Sequence, residues 1–523
     1  MNGDDTGWSG ESGRPAADVL AAYDEPRDTS RAPWLLVGGA AVAVLALVAG
    51  VTYGVGALSG GGSQPEDALP GGAFGYAKVD LDPSAGQKLD GFRFMRKFPA
   101  LRERLADEDL REVVFEAVAE GAGWSEVDFD SEVAPWMGKR IGVAAYAPAE
   151  TDDPFPDPTV VVALQVTDAD EARQGLDRLA DLGAGGAGGE PSRLGFVVTD
   201  GYALLAETQA VADGAARDAE DRNLASDQQL AADLSAAGDG VMAAWLDMGR
   251  AVDALGANAL GMGGVGGMTG AFGSTGRSTY LARFDGPDVF EISGRVTDAD
   301  AAGWATHAVE GMDELPESSV VAFALADGEE LVPRLYESLR EALRDQRGQG
   351  MPDVDEMVAD AERDLGIEIP EDVAALLGDN LVAALDGTSS ESVQVGARVR
   401  TDVTRAERVL DALESGAGGE WVLARERVGD DLVVASTPEQ ARRLAAGGTL
   451  GDRPGFGDAM PDLGEADLAL WVDPKGVLEA LFGGMGGGEA STDENLEPIE
   501  GIGLTASSRD EGSGTFRLRL VAR

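Results

Sequence analysis

The chain contains no cysteine and one histidine, His307. Without cysteine there are no disulfides, no lipid-modified N-terminal cysteine, no thiolate metal site and no thiol nucleophile. With one histidine, any Ser-His-Asp triad or histidine metal centre would rest on that single ring. His307 lies in AGWATHAVEGM, which reads as helix, so it is expected to be an ordinary helix residue. Lysine is scarce too: Lys78, Lys88, Lys97, Lys139 and Lys475 are the whole set, and arginine carries most of the positive charge. The patterns G-x-S-x-G, H-E-x-x-H and G-x-x-x-x-G-K-[ST] are absent. No catalytic, cofactor-binding or metal residue is assigned from motif, and no enzyme activity or cofactor is expected.

What is abundant is acid. Asp and Glu number 94 against 41 Lys and Arg, for a net charge of −53. Such a field repels nucleic acid and anionic lipid headgroups and keeps the chain soluble. Nucleic acid is therefore excluded as a partner.

One stretch breaks the polarity. Residues 34–58, WLLVGGAAVAVLALVAGVTYGVGAL, carry no charge. As helix they would rise roughly 38 Å, enough to cross a bilayer core of about 30 Å with some tilt. A buried core helix or the apolar region of a cleaved signal peptide would be shorter. Arg27 and Arg31 precede the stretch, and no Lys or Arg follows until Lys78. The positive-inside bias then puts the N-terminus in the cytoplasm and the bulk of the chain outside the plasma membrane. Residues 1–33 lack apolar periodicity and are expected to be a disordered cytoplasmic tail. Residues 59–69, SGGGSQPEDAL, are expected to be a flexible linker.

From Leu69 onward the sequence is written twice. Leu69-Pro70 before FGYAKVD matches Leu315-Pro316 before VVAFALAD, 246 residues on. Ala134-Pro135-Trp136-Met137-Gly138 matches Ala374-Ala375-Leu376-Leu377-Gly378. Trp245-Leu246-Asp247 matches Trp471-Val472-Asp473, 226 residues on. An offset that shrinks steadily is what a duplication with shorter loops in the second copy produces. The first copy reads strand, several helices, two strands, helix, two strands, helices, strand, helix, two strands. Paired strands point to hairpins and an antiparallel sheet. The expected architecture is α+β: a first repeat over 70–300, a helical connector over 301–315, and a second repeat over 316–523. Each repeat is expected to be an antiparallel sheet with helices on one side. Leu331, Leu335, Leu339 and Leu343 mark an amphipathic helix.

The run YAKVDLDPSAGQKLDGFRFMRKFPAL (76–101), together with Val133-Ala134-Pro135-Trp136-Met137-Gly138, resembles the actinobacterial membrane-anchored family catalogued as domain of unknown function 3352. The resemblance implies an exported, single-span protein and brings no activity, cofactor or catalytic residue with it.

Candidate contacts remain. Arg93, Arg96 and Lys97, set among Phe92, Phe94 and Phe98, form the one cationic and aromatic cluster in an acidic chain. They read either as a contact patch or as a helix with its phenylalanines in the core. Leu260, Met262, Met268 and Phe272, and Met485 in the second copy, lie in Gly-rich loops that could meet apolar surfaces. Asp80, Asp82 and Ser84, and likewise Asp128, Asp130 and Glu132, begin like calcium loops but lack the later glycine and glutamate, so turns and caps are expected. Trp124, Trp136, Trp245 and Trp471 read as core or as sugar platforms. The preferred reading is a membrane-tethered, non-enzymatic binding or scaffold protein of the cell envelope. Its expected partners are the bilayer and an envelope protein, polymer or lipid. The alternatives are a carrier or sensor of an apolar, lipid-like ligand and, behind it, a glycan hydrolase.

Overall fold

The computed structural model describes residues 62–99, 127–148, 157–183, 194–199, 201–255, 276–299, 305–345, 354–386, 394–416, 422–482, 494–508 and 512–523, with scattered positions between 101 and 126. The tail over 1–33 and the apolar stretch over 34–58 lie outside the described residues, within which no helix is long and apolar enough to cross a membrane.

The first repeat contributes β1 (Gly75–Asp80), β2 (Met137–Tyr146), β3 (Thr159–Val166), β4 (Gly195–Val198), β5 (Tyr202–Ala206), β6 (Met242–Asp247), β7 (Arg277–Phe284) and β8 (Val289–Thr297). The second contributes β9 (Ser319–Ala326), β10 (Asn380–Asp386), β11 (Gln394–Arg400), β12 (Ala424–Val428), β13 (Asp431–Ala435), β14 (Leu468–Val472), β15 (Ile499–Ser507) and β16 (Gly514–Ala522). All sixteen strands form one antiparallel sheet, ordered β12-β13-β11-β10-β9-β14-β15-β16-β8-β7-β6-β1-β2-β3-β5-β4. Read outward from β16 and from β8, the two halves have the same order, which is the duplication made visible.

The halves join where β8 pairs antiparallel with β16. Each is the last strand of its repeat and would otherwise present unpaired backbone groups to solvent, so pairing them removes two edges at once. Trp245 faces Thr279, which faces Arg295. Trp471 faces Gly503, which faces Arg519. Arg295 and Arg519 are therefore equivalent, and two residues earlier so are Ser293 and Arg517. Ser293 pairs with Arg517 across the seam. A position paired with its own equivalent marks a pseudo-two-fold axis.

Helices cover both faces of the sheet, not one as the hydropathy pattern led us to expect. In the first repeat these are α1 (Pro65–Ala68), α2 (Ala85–Met95), α3 (Phe129–Glu132), α4 (Ala169–Gly183), α5 (Gln209–Asp221), α6 (Gln228–Ala237) and α7 (Met248–Leu255). In the second they are α8 (Gly328–Asp345), α9 (Val354–Leu365), α10 (Glu371–Leu377), α11 (Val403–Gly416), α12 (Pro438–Ala446), α13 (Phe456–Ala459) and α14 (Pro474–Phe482). Tyr202 and Leu204 pack with Ala215 of α5 and Leu230 of α6, whereas Ala203 and Leu205 pack with Ala172 and Leu176 of α4. In the second repeat Val433 faces Leu444 of α12, and Leu432 faces Leu410 of α11. Successive strand residues point to opposite faces, so a wholly apolar run such as Tyr202–Ala206 needs cover on both.

Two further expectations are corrected. Residues 64–69 are not linker. Pro65–Ala68 forms a turn of helix closed by a capping box between Gln64 and Asp67, and Leu69 is fully buried. Glu66 accepts from the Tyr76 hydroxyl at 2.5 Å and from Lys78 Nζ at 2.7 Å. Desolvation, followed by the charge of Glu66, raises the Tyr76 phenol well above its ordinary pKa. The connector is not helical where it is described, from Ala305 onward; it runs as bends and turns into β9. Its apolar residues Val309, Met312 and Leu315 are spent on the core of the second repeat. The α8 helix predicted by the leucine spacing is present, with Leu331 packed beside Leu325 and Leu381.

Candidate functional site

The seam between repeats carries a groove of about 680 Å³ on the face covered by α5, α6, α12 and α13. Its floor is built from β7, β8, β15 and β16 and is mostly polar: Thr279, Arg283, Ser293, Arg295, Thr505, Thr515 and Arg517 line it, beside Leu281, Ala506 and Phe516. Its walls are Ala236 and Ala237 at the end of α6, and Asp462 and Glu465 ahead of β14. These two walls occupy the same place in the two repeats, so the groove shares the seam's pseudo-symmetry.

At its centre lies Glu291, only 1% exposed. Its carboxylate accepts from Arg283 Nε at 3.0 Å and from Arg519 Nε at 2.9 Å, with Arg517 Nε at 3.4 Å. Arg519 also donates to the Asp458 carbonyl at 2.6 Å and to Asp285, and Arg517 pairs with Asp462. Burial, with Arg283 nearby, lowers the pKa of Arg519. A carboxylate this buried is tolerated because several charge-assisted bonds satisfy it. On the opposite face the same strands present Phe284, Phe290, Ile292 and Leu520 to Phe94, Met95 and Phe98.

The cationic and aromatic cluster is divided by the fold. Phe94, Met95 and Phe98 are core residues under the seam. Lys97 is turned inward, donating to the carbonyls of Pro287 at 2.8 Å and Ala522 at 2.6 Å and pairing with Asp288. It therefore ties α2 of the first repeat to the last strand of the second. Arg93 and Arg96 remain exposed, with Arg96 over the Phe92 ring. Only these two are left to form a surface patch. Leu260, Met262, Met268, Phe272 and Met485 lie outside the described residues.

All four candidate tryptophans are buried, which removes them as sugar platforms. Asp128 caps α3 through the Ser131 N–H at 2.9 Å. Asp80 takes Arg140 Nε at 3.1 Å, and Asp82 pairs with Lys88 at 2.5 Å. Both resemblances to calcium loops are thus turns and caps, as expected.

His307 is misjudged by the sequence pattern. It lies in the non-helical crossover, with Nε2 3.2 Å from Asp327 Oδ1 and 3.0 Å from Asp379 Oδ1. Its Nδ1 is 3.1 Å from the Ala308 carbonyl. Burial works against the imidazolium, but the Ala308 carbonyl and the two carboxylates outweigh it and raise the pKa. These are the only three metal-ligating side chains that converge in this way among the described residues. No spacing reveals them, since the carboxylates come from the ends of two strands.

Comparison with protein-family models, with curated proteins and with solved structures finds no match for this chain.

Proposed function

We propose that the chain is a membrane-tethered, non-enzymatic binding or scaffold protein of the cell envelope. Residues 34–58 anchor it, the N-terminus is cytoplasmic, and the doubled sheet stands outside the membrane. Its ligand, a polar segment of an envelope protein or polymer, lies in the seam groove.

One observation carries this reading. The central strands are apolar where α2 covers them and mostly polar where the groove lies, although both faces belong to the same four strands. Hydroxyls and arginine–carboxylate pairs complement a hydrogen-bonding occupant and would be left desolvated by a lipid tail. The polarity therefore favours this reading over a carrier of apolar ligands.

The test is mass spectrometry of material that co-purifies with the full chain, beside the Arg295→Glu variant. Polar saccharide or peptide retained by the parent and reduced in the variant is expected. A recurrent lipid, or a co-purifying set that Arg295→Glu leaves unchanged, would overturn the assignment. Protease added to intact cells should cut the C-terminal bulk; cutting only after lysis would reverse the orientation.

A further inference from the structure

We propose that His307, Asp327 and Asp379 form a site for one divalent transition-metal cation, of the zinc, cobalt or manganese class, at the crossover between repeats. Nδ1 of His307 lies 3.1 Å from the Ala308 carbonyl. In the neutral ring with its proton on Nδ1, the lone pair is on Nε2, the atom that faces both carboxylates. An imidazole nitrogen and two carboxylate oxygens so placed call for a positive charge among them, supplied by a proton on Nε2 or by a metal cation. A backbone carbonyl on the far ring nitrogen is also how ligating histidines are commonly oriented.

The dimensions fit. Donor bonds of about 2.0–2.2 Å give donor–donor edges of roughly 2.8–3.1 Å in an octahedral set and roughly 3.3–3.6 Å in a tetrahedral one. The two distances from Nε2 are 3.2 and 3.0 Å. One imidazole nitrogen and two carboxylate oxygens suit first-row transition metals better than calcium or magnesium, which favour oxygen alone. Three protein donors leave the remaining positions to water. His307 and Asp379 are 32% and 46% exposed in their side chains, so a cation can reach the site from solvent.

The ligands are held in place before any ion arrives. Asp327 adopts a left-handed backbone, φ +50°. Its second oxygen, Oδ2, accepts from Thr306 Oγ1 at 3.0 Å and from the His307 N–H at 3.4 Å, which leaves Oδ1 for the site. Its own N–H donates to the Asp379 carbonyl at 2.6 Å, locking the two acidic residues together.

The first repeat supplies the control. Asp80 faces Arg140 as Ala326 faces Asn380, so Leu81 and Lys139 are the equivalents of Asp327 and Asp379. Leu81 donates its N–H to the Lys139 carbonyl at 2.8 Å, the same backbone bond. The same backbone bond forms with a leucine and a lysine, although of the two corners only Asp327 is left-handed. The two carboxylates are therefore not required by that bond, and they stand where a histidine arrives from the crossover.

The experiment is a titration of the metal-stripped full chain with Zn²⁺ by calorimetry and with Co²⁺ by visible absorption, in a background of millimolar Mg²⁺ that occupies the diffuse acidic surface. One saturable equivalent is expected, and ¹⁵N-histidine labelling should show the sole imidazole shifting at Nε2. His307→Gln and Asp379→Asn, both at partly exposed positions, should each weaken that equivalent by about 10-fold or more. The proposal is overturned if the parent shows no saturable equivalent, if the imidazole resonance does not move, or if either variant binds as the parent does.

Discussion

Ser293 and Arg517 stand opposite each other in the β8–β16 ladder, and each holds the other's place in its own repeat. A duplicated chain has used the pairing of two identical edges, familiar from symmetric dimers, to close on itself. The polar groove, the buried Glu291 and the clamp by Lys97 all cluster around that axis.

The seam's charge network should be costly to break. Arg519→Ala leaves Glu291 buried with one of its two short hydrogen-bonded partners gone. Loss of about 3 kcal/mol is expected. Urea unfolding followed by tryptophan fluorescence measures it, and a midpoint within error of the parent's would refute the network's structural role.

Lys97 should behave unlike its neighbours. Lys97→Ala removes the donor to the Pro287 carbonyl, the Asp288 carboxylate and, across the two repeats, the Ala522 carbonyl, and is expected to cost about 1–3 kcal/mol. Arg93→Ala and Arg96→Ala sit at exposed positions and should stay within about 0.5 kcal/mol. Equal effects at all three positions would contradict the division of the cluster. Charge reversal at Arg93 and Arg96 should weaken binding to envelope fractions if these two arginines form a contact patch.

The fold's true beginning can be checked at Leu69, placed in the linker by sequence and in the core by structure. The Leu224 N–H reaches the Leu69 carbonyl at 2.8 Å, as the Leu450 N–H reaches Leu315 at 2.9 Å. Leu69→Ala and Leu315→Ala should each cost about 2–5 kcal/mol. A neutral Leu69→Ala would return these residues to the linker.

Acid should weaken the fold through carboxylates that are paired in it. Asp372 takes the Glu368 N–H at 2.9 Å and Arg405 Nε at 2.7 Å, and Asp227 takes Arg250 at 2.7 Å. Burial opposes each charge, but these bonds outweigh it and hold both carboxyls below the ordinary value. A depressed folded-state pKa stabilises above the unfolded value, about 3.9, and its contribution is lost as pH falls through the folded-state pKa. The contribution of these two carboxylates should thus be level near neutrality and fall below about pH 4. Asp372→Asn should flatten that acid limb; an unchanged limb would count against it.

Much of the fold was legible in the chain. Matching Leu69 with Leu315 and Trp245 with Trp471 exposed the duplication, because buried positions keep their apolar character and spacing. Paired strand runs implied an antiparallel sheet, and the leucines from Leu331 implied α8. The second covered face was legible too, in wholly apolar runs such as Tyr202–Ala206. The candidate site was hardly legible at all. Glu291, Arg517 and Arg519 look like surface charges on strands, and His307 looks like part of a helix.

Local order, periodicity, charge and the doubled plan were settled by the sequence alone, since each depends on residues near one another in the chain. The joining of β8 to β16 was decided by tertiary structure, because edge pairing runs through backbone groups that every residue shares. The meeting of residues 307, 327 and 379 was decided there as well: only the return of β10 beside β9 brings their side chains to one point.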